Sequence, residues 1–189
     1  MTRVPTGWQT VGPYLHIGLT WLNRTKLATE ATKGERIAIE GRLLDGDGAP
    51  VPDGMLEIWQ ADAEGRYNHP DDDQAKPLDP SFFGFGRVDT DKDGRFRFET
   101  IKPGRVPGPG NTLQAPHILV SVFMRGQLRR LVTRIYFADE PSNAEDPILA
   151  LVEEPARRRT LLATREPGGS TYRLDIRVQG EDETVFFEV

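Results

Sequence analysis

R-I-A-I-E-G-R-L-L, Arg36 to Leu44, alternates in the manner of a strand. Met55 to Ala61, M-L-E-I-W-Q-A, does the same after the connector D-G-D-G-A-P-V-P-D-G, whose Asp-Gly and Pro residues suit turns. Working outward, further strands are expected at Arg95 to Glu99, Ile118 to Met124, Val132 to Phe137, Tyr172 to Val178 and Thr184 to Glu188. Trp21 to Thr32 is expected to hold a short helix, and Asp146 to Thr164 one or two. The fold class that follows is mainly β, an antiparallel β-sandwich with long loops and one or two short helices. With no internal repeat or composition break, residues 1–189 are read as one domain.

Composition narrows the chemistry. Twenty-nine acidic residues stand against 24 basic ones, a formal charge of -5, which speaks against a nucleic-acid partner. Cysteine is absent, which removes disulfides, thiolate nucleophiles and thiolate metal sites together. A metal site would have to use the harder ligands His, Asp, Glu or Tyr. The first ten residues carry no apolar signal core, and no apolar run reaches the ~18 residues that cross a bilayer. The expectation is a cytoplasmic protein with no membrane contact.

Several motifs yield to bland readings. D-T-D-K-D-G, Asp89 to Gly94, resembles the start of a calcium loop, but its twelfth position is Thr100 and the next residues alternate as a strand, so a hairpin turn is expected. Ser81, Ser121, Ser142 and Ser170 lie outside any G-x-S-x-G setting. Arg157, Arg158 and Arg159 follow Glu153 and Glu154 in a pattern that suits a helix dipole, hence a solvated face. Asn68 to Val88 is a long irregular segment, and its Phe82, Phe83 and Phe85 are read as a partner surface if exposed.

One constellation is rarer. W-Q-A-D-A-E-G-R-Y (Trp59 to Tyr67), I-K-P-G-R-V-P from Ile101 and A-P-H-I-L from Ala115 occur in order, between Q-T-V-G-P-Y near the start and Q-G-E-D-E-T-V-F-F-E-V at the end. In these motifs, over nearly its whole length, the chain resembles the intradiol ring-cleaving dioxygenases, in particular their branch acting on protocatechuate. The resemblance implies a β-sandwich whose catalytic chains hold one ferric ion through two tyrosines and two histidines. Hard phenolate ligands suit that ion. Carried over by residue, Tyr67 matches the first tyrosine and His117 the first histidine. Val106 stands where the second tyrosine belongs, Leu119 replaces the second histidine, and Gln114 replaces an arginine. Neither His16 nor His69 is placed by a motif to repair the set.

Within that branch two homologous chains assemble, and one has lost the ligands. The resemblance therefore implies that this chain binds no metal, that Tyr67, Val106, Gln114, His117 and Leu119 form a vestigial site, and that Fe(III) is bound by a homologous beta chain in a higher oligomer. Protocatechuate and O2 would be the substrates. Thr10, Gly12, Pro13, Tyr14 and Arg125 would line the substrate pocket from this side, and an arm of residues 1–33 would lie in the interface. The rival readings are a self-sufficient single-chain dioxygenase and a non-enzymatic β-sandwich assembly module.

Overall fold

The computed structural model describes residues 6–10 and 12–188. The expected domain 1–189 and arm 1–33 therefore extend onto residues 1–5, 11 and 189, which lie outside the described residues. The strands are β1 (Arg36–Leu44), β2 (Met55–Trp59), β3 (Phe85–Asp89), β4 (Arg95–Ile101), β5 (Val106–Pro107), β6 (Leu113–Gln114), β7 (His117–Phe123), β8 (Leu131–Phe137), β9 (Leu162–Arg165), β10 (Thr171–Arg173) and β11 (Ile176–Arg177). Nine of them form one sheet in the order β11-β1-β10-β9-β8-β7-β2-β3, with β4 also paired to β1. β5 and β6 make a separate two-stranded hairpin.

The mainly β expectation holds, but the antiparallel part of it is corrected. β1 pairs in parallel with β10 and with β11, and β8 with β9. Parallel pairing needs long crossovers, which local alternation does not report. The expected strand at 172–178 is split into β10 and β11 beside Gly41. A Cβ built at Gly41 would sit 1.8 Å from the Leu174 carbonyl oxygen, so only glycine admits this close approach. Residues 184–188 form no ladder, although the Phe187 N–H donates to the Val132 carbonyl at 2.8 Å.

Inward residues of both halves of the sheet meet in one apolar cluster. Ile39, Leu43, Phe98 and Ile101 from β1 and β4 join Leu56, Ile58, Ile118 and Val120 from β2 and β7. All eight are at most 2% exposed, and burying each such side chain contributes roughly 1.5–3 kcal/mol.

The helical expectations are only partly met. Trp21 to Thr32 holds a 3-10 turn at Thr20–Leu22 and a turn at residues 30–31 and is otherwise not helical, because Arg24 and Lys26 bridge to Arg87 and Glu99. A single π-type turn, Leu15–Leu19, precedes it. The region 146–164 holds a 3-10 turn, Leu149–Leu151, and α1, Pro155–Arg159. D-T-D-K-D-G is the β3–β4 turn: Asp91 Oδ1 accepts the N–H groups of Asp93 and Arg95 at 2.9 and 2.8 Å, and Gly94 takes φ +71°.

Asn68 to Val88 is more ordered than its composition suggests. Phe82 is buried in the core and Phe85 opens β3, leaving Phe83 exposed. Phe83 lies edge-on to Trp59, with Arg24 4.8 Å from its ring. The expected surface of three phenylalanines is thus reduced to one. Among the described residues no helix is long and apolar enough to cross a membrane.

Candidate functional site

The segment after β2 is built around two buried polar residues. Gln60 donates to the carbonyls of Ala61 and Ile101 and accepts from the Thr100 hydroxyl at 2.8 Å, joining β2 to β4. Asp62 Oδ1 accepts the N–H groups of Glu64 and Arg66 at 3.0 and 2.9 Å, and Oδ2 that of Asp79 at 3.2 Å. Gly65 takes φ +79° against the Arg105 carbonyl, where no Cβ fits. The loop so fixed delivers Tyr67, whose ring stacks on Trp59 at 5.8 Å and 11°. Its N–H donates to Asp72 Oδ2 at 2.7 Å.

Strand register supplies the rest. Leu119 on β7 has Trp59 of β2 on one side and Arg134 of β8 on the other, and His117 lies opposite Tyr136. Cross-strand neighbours share a face, so Trp59, Leu119 and Arg134 form one row. The β5–β6 hairpin sets Val106 opposite Gln114. All five expected vestigial residues, Tyr67, Val106, Gln114, His117 and Leu119, consequently line a single cavity of about 430 Å³.

The cavity also takes in residues that no motif pointed to. Arg134 is the most consequential: its Nη1 donates to Gln114 Oε1 at 2.7 Å and to the Tyr136 hydroxyl at 3.2 Å. Its signal was a lone arginine in the middle of an otherwise apolar strand, L-V-T-R-I-Y-F. His69 reaches the rim, edge-on to Trp59, and accepts the Asp71 N–H at 3.2 Å. His16 is elsewhere, with Nδ1 3.4 Å from Asp89. Behind the cavity Asp146 is 1% exposed and accepts from the N–H groups of Ala115, Ile148 and Leu149 and from the Tyr136 hydroxyl.

Burial governs the titrating groups here. His117 is 5% exposed, and desolvation, seconded by the charge of Arg134, pushes its pKa down to about 4. The ring is therefore neutral at pH 7. Its Nδ1 lies 2.8 Å from the Ala115 carbonyl, which fixes the proton there and leaves Nε2 as an acceptor. Burial likewise raises Tyr67 above the ordinary phenol range, so it stays a protonated phenol. Tyr136 moves the same way for the same chief reason.

A ferric ion does not fit this donor set. Val106 and Leu119 offer no donor atom, Tyr67 is held as a phenol, and only His117 Nε2 is ready to coordinate. The charge of the Arg134 guanidinium, which bears on both Tyr67 and His117, further disfavours a cation beside them. Among the described residues no three His, Cys, Asp or Glu groups converge as a metal-binding cluster.

The other sequence-derived set lies at the far end of β7. Past Phe123 the chain turns through Arg125 and Gly126, the latter at φ +83°. The Thr10 hydroxyl donates to the Met124 carbonyl at 3.4 Å, and Arg129 lies 4.2 Å from the Trp8 ring, so residues 8–10 rest on this turn. Gly12 follows at φ +62°, Pro13 accepts the Ile17 N–H at 3.2 Å, and Tyr14 is 70% exposed. Arg125 is mostly exposed, and its Nε is ion-paired with Asp53 of the β1–β2 connector.

The dioxygenase family model matches residues 12–180. The chain is 45% identical over 197 residues to a protocatechuate 3,4-dioxygenase alpha chain of Pseudomonas putida, covering 95% of this chain and 94% of that one. It is 46% identical to the alpha chain of Burkholderia cepacia, at 100% and 99% coverage. With the beta chain of Burkholderia cepacia it shares 41% identity over 185 residues, 94% of this chain and 77% of that one. Among solved structures, the dioxygenase domain of a carbohydrate-binding fusion from Streptomyces sp. SirexAA-E superposes with a TM-score of 0.64 at 28% identity, covering 84% and 88%. The chain belongs to the dioxygenase family.

Proposed function

We propose that this chain acts as the alpha subunit of a protocatechuate 3,4-dioxygenase, an intradiol ring-cleaving enzyme, and completes the substrate pocket of a homologous beta chain. The carrying observation is the cavity that gathers all of the vestigial positions and offers them as valine, leucine and a protonated phenol. Conversion of protocatechuate and O2 to 3-carboxy-cis,cis-muconate is then assigned to a ferric centre on the beta chain, in a higher alpha-beta oligomer of the cytoplasm. No step of it runs through residues of this chain.

What this chain supplies in the proposal is recognition. The Arg125 guanidinium, exposed apart from its Asp53 contact, is set to attract the carboxylate of an incoming aromatic acid. Gly12 and Pro13 offer backbone that a ring approaches closely, and Thr10 and Tyr14 flank them. In this proposal the chain is one domain, with its arm of residues 1–33 in the interface. Supporting that assignment, Trp8, Tyr14, Ile17 and Trp21 each expose 65% or more of their surface.

Expression with and without a homologous beta chain tests the reading. The pair is expected to contain iron and turn over protocatechuate, and this chain by itself neither. One iron per chain and turnover in a homomer would overturn it. The Asp53 ion pair favours a second reading, in which Arg125 is structural and the chain is an assembly module. Unchanged KM and kcat in an Arg125→Ala complex would select it.

A further inference from the structure

The vestigial cavity is emptied of metal ligands, but it is not emptied of binding groups. Among the described residues the hydrogen bonds of Arg134 are made through Nη1 alone, and its guanidinium lies 5.7 Å from the Phe187 ring. Among the described residues no carboxylate pairs with this guanidinium, and its Nη2 and Nε have no acceptor. Arg134 is half-buried and lines the cavity without a carboxylate partner. Gln114 holds it in place, since its own amide is anchored by donation to the Pro107 carbonyl at 2.8 Å. His117 lines the same cavity, and its Nε2 is an acceptor with no hydrogen-bond partner among the described residues. The flat stacked pair Trp59 and Tyr67 and the apolar Val106 and Leu119 line the same cavity.

We propose that this cavity is a second, metal-independent binding site for a planar aromatic monocarboxylate that also carries a ring hydroxyl. The carboxylate takes the free edge of Arg134, a pairing that guanidinium geometry favours. The hydroxyl donates to His117 Nε2. The ring lies on the surface made by Trp59, Tyr67 and Leu119. A volume of about 430 Å³ is ample for one such molecule. Asp71, with a 91% exposed side chain, and Asp73 also border the cavity, whereas Asp72 is turned onto the N–H groups of Tyr67 and Gln74. Inorganic phosphate has no ring to lie on the aromatic and apolar wall and is expected to compete poorly.

The site stands whether or not this chain pairs with an iron-bearing partner. Equilibrium dialysis of labelled 4-hydroxybenzoate tests it on the purified full-length chain and on its complex with a beta chain. The expected result is one equivalent per chain of this sequence, beyond any bound at a partner's centre, weakened tenfold or more by Arg134→Gln. Leu119→Trp, which fills the cavity and leaves Arg134 in place, is expected to abolish the same equivalent and guards against misfolding of the arginine variant. Stoichiometry unaltered by both substitutions, no binding to folded wild-type chain, or equal competition by inorganic phosphate would each overturn the assignment.

Discussion

At the His117 end of β7 the side chains face a cavity with a buried neutral imidazole and an apolar wall, whereas at the Phe123 end the strand runs into a turn that exposes Arg125 to solvent. Six residue steps of about 3.4 Å separate them, roughly 20 Å. No single small aromatic acid spans that length, so the two sets of residues serve different sites. In the proposed function one strand therefore carries a vestigial site at one end and a recognition surface at the other. Substitutions behind the first end should act on stability, those lining its cavity on binding there, and those at the second end on the KM of the assembled enzyme.

The largest effect is expected behind the cavity. Asp146→Ala leaves four donors without their acceptor in a fully buried setting and should destabilise the fold by about 3–5 kcal/mol, read from chemical denaturation. Next comes pH. His117 has its pKa depressed from 6.5 to about 4, so its contribution is fully present above pH 6.5 and lost as pH falls towards 4, where the unfolded chain binds a proton that the folded chain refuses. The loss amounts to about 3 kcal/mol. Denaturation midpoints measured from pH 7 to 4 should show this slope, and a His117→Gln variant a flatter one.

At the other end the effects are smaller and kinetic. Arg125→Ala should raise the KM of the assembled enzyme for protocatechuate about tenfold, roughly 1.4 kcal/mol, with kcat little changed, and the rise should shrink at high salt. Asp53→Asn releases the guanidinium from its partner and should shift KM by only two- to threefold. A large loss of stability from Arg125→Ala, or a KM effect from Asp146→Ala in protein that remains folded, would erase the distinction between the two ends.

Legibility in the sequence followed the same physical line. β1 was readable to the residue because alternation is local, and β2, β4, β7 and β8 were nearly so. β3, β9 and the division between β10 and β11 were not: β3 begins inside the irregular segment 68–88, β9 begins inside the region 146–164 whose charge pattern suits a helix, and the break at β10 depends on the close approach of Gly41 from a distant strand. Tyr67, Val106, Gln114, His117 and Leu119 came from motif resemblance, and the structure gathers them. Arg134 escaped because its meaning lies in its cross-strand neighbour Leu119, which no spacing along one strand announces. The Asp53 partner of Arg125 was hidden for a similar reason: 72 residues of chain separate them.

The parallel pairing of β1 with β10 and β11 has a consequence for how the chain acquires its shape. Ala38 meets Thr171 and Leu44 meets Arg177 across more than 130 residues. Until residues 171–177 have been synthesised, that edge of β1 presents unsatisfied backbone groups able to recruit another strand. Contacts of such sequence separation slow the folding reaction and lengthen the exposure of intermediates. Newly made chains should therefore be the vulnerable population, dependent on chaperones in a way that the finished protein is not.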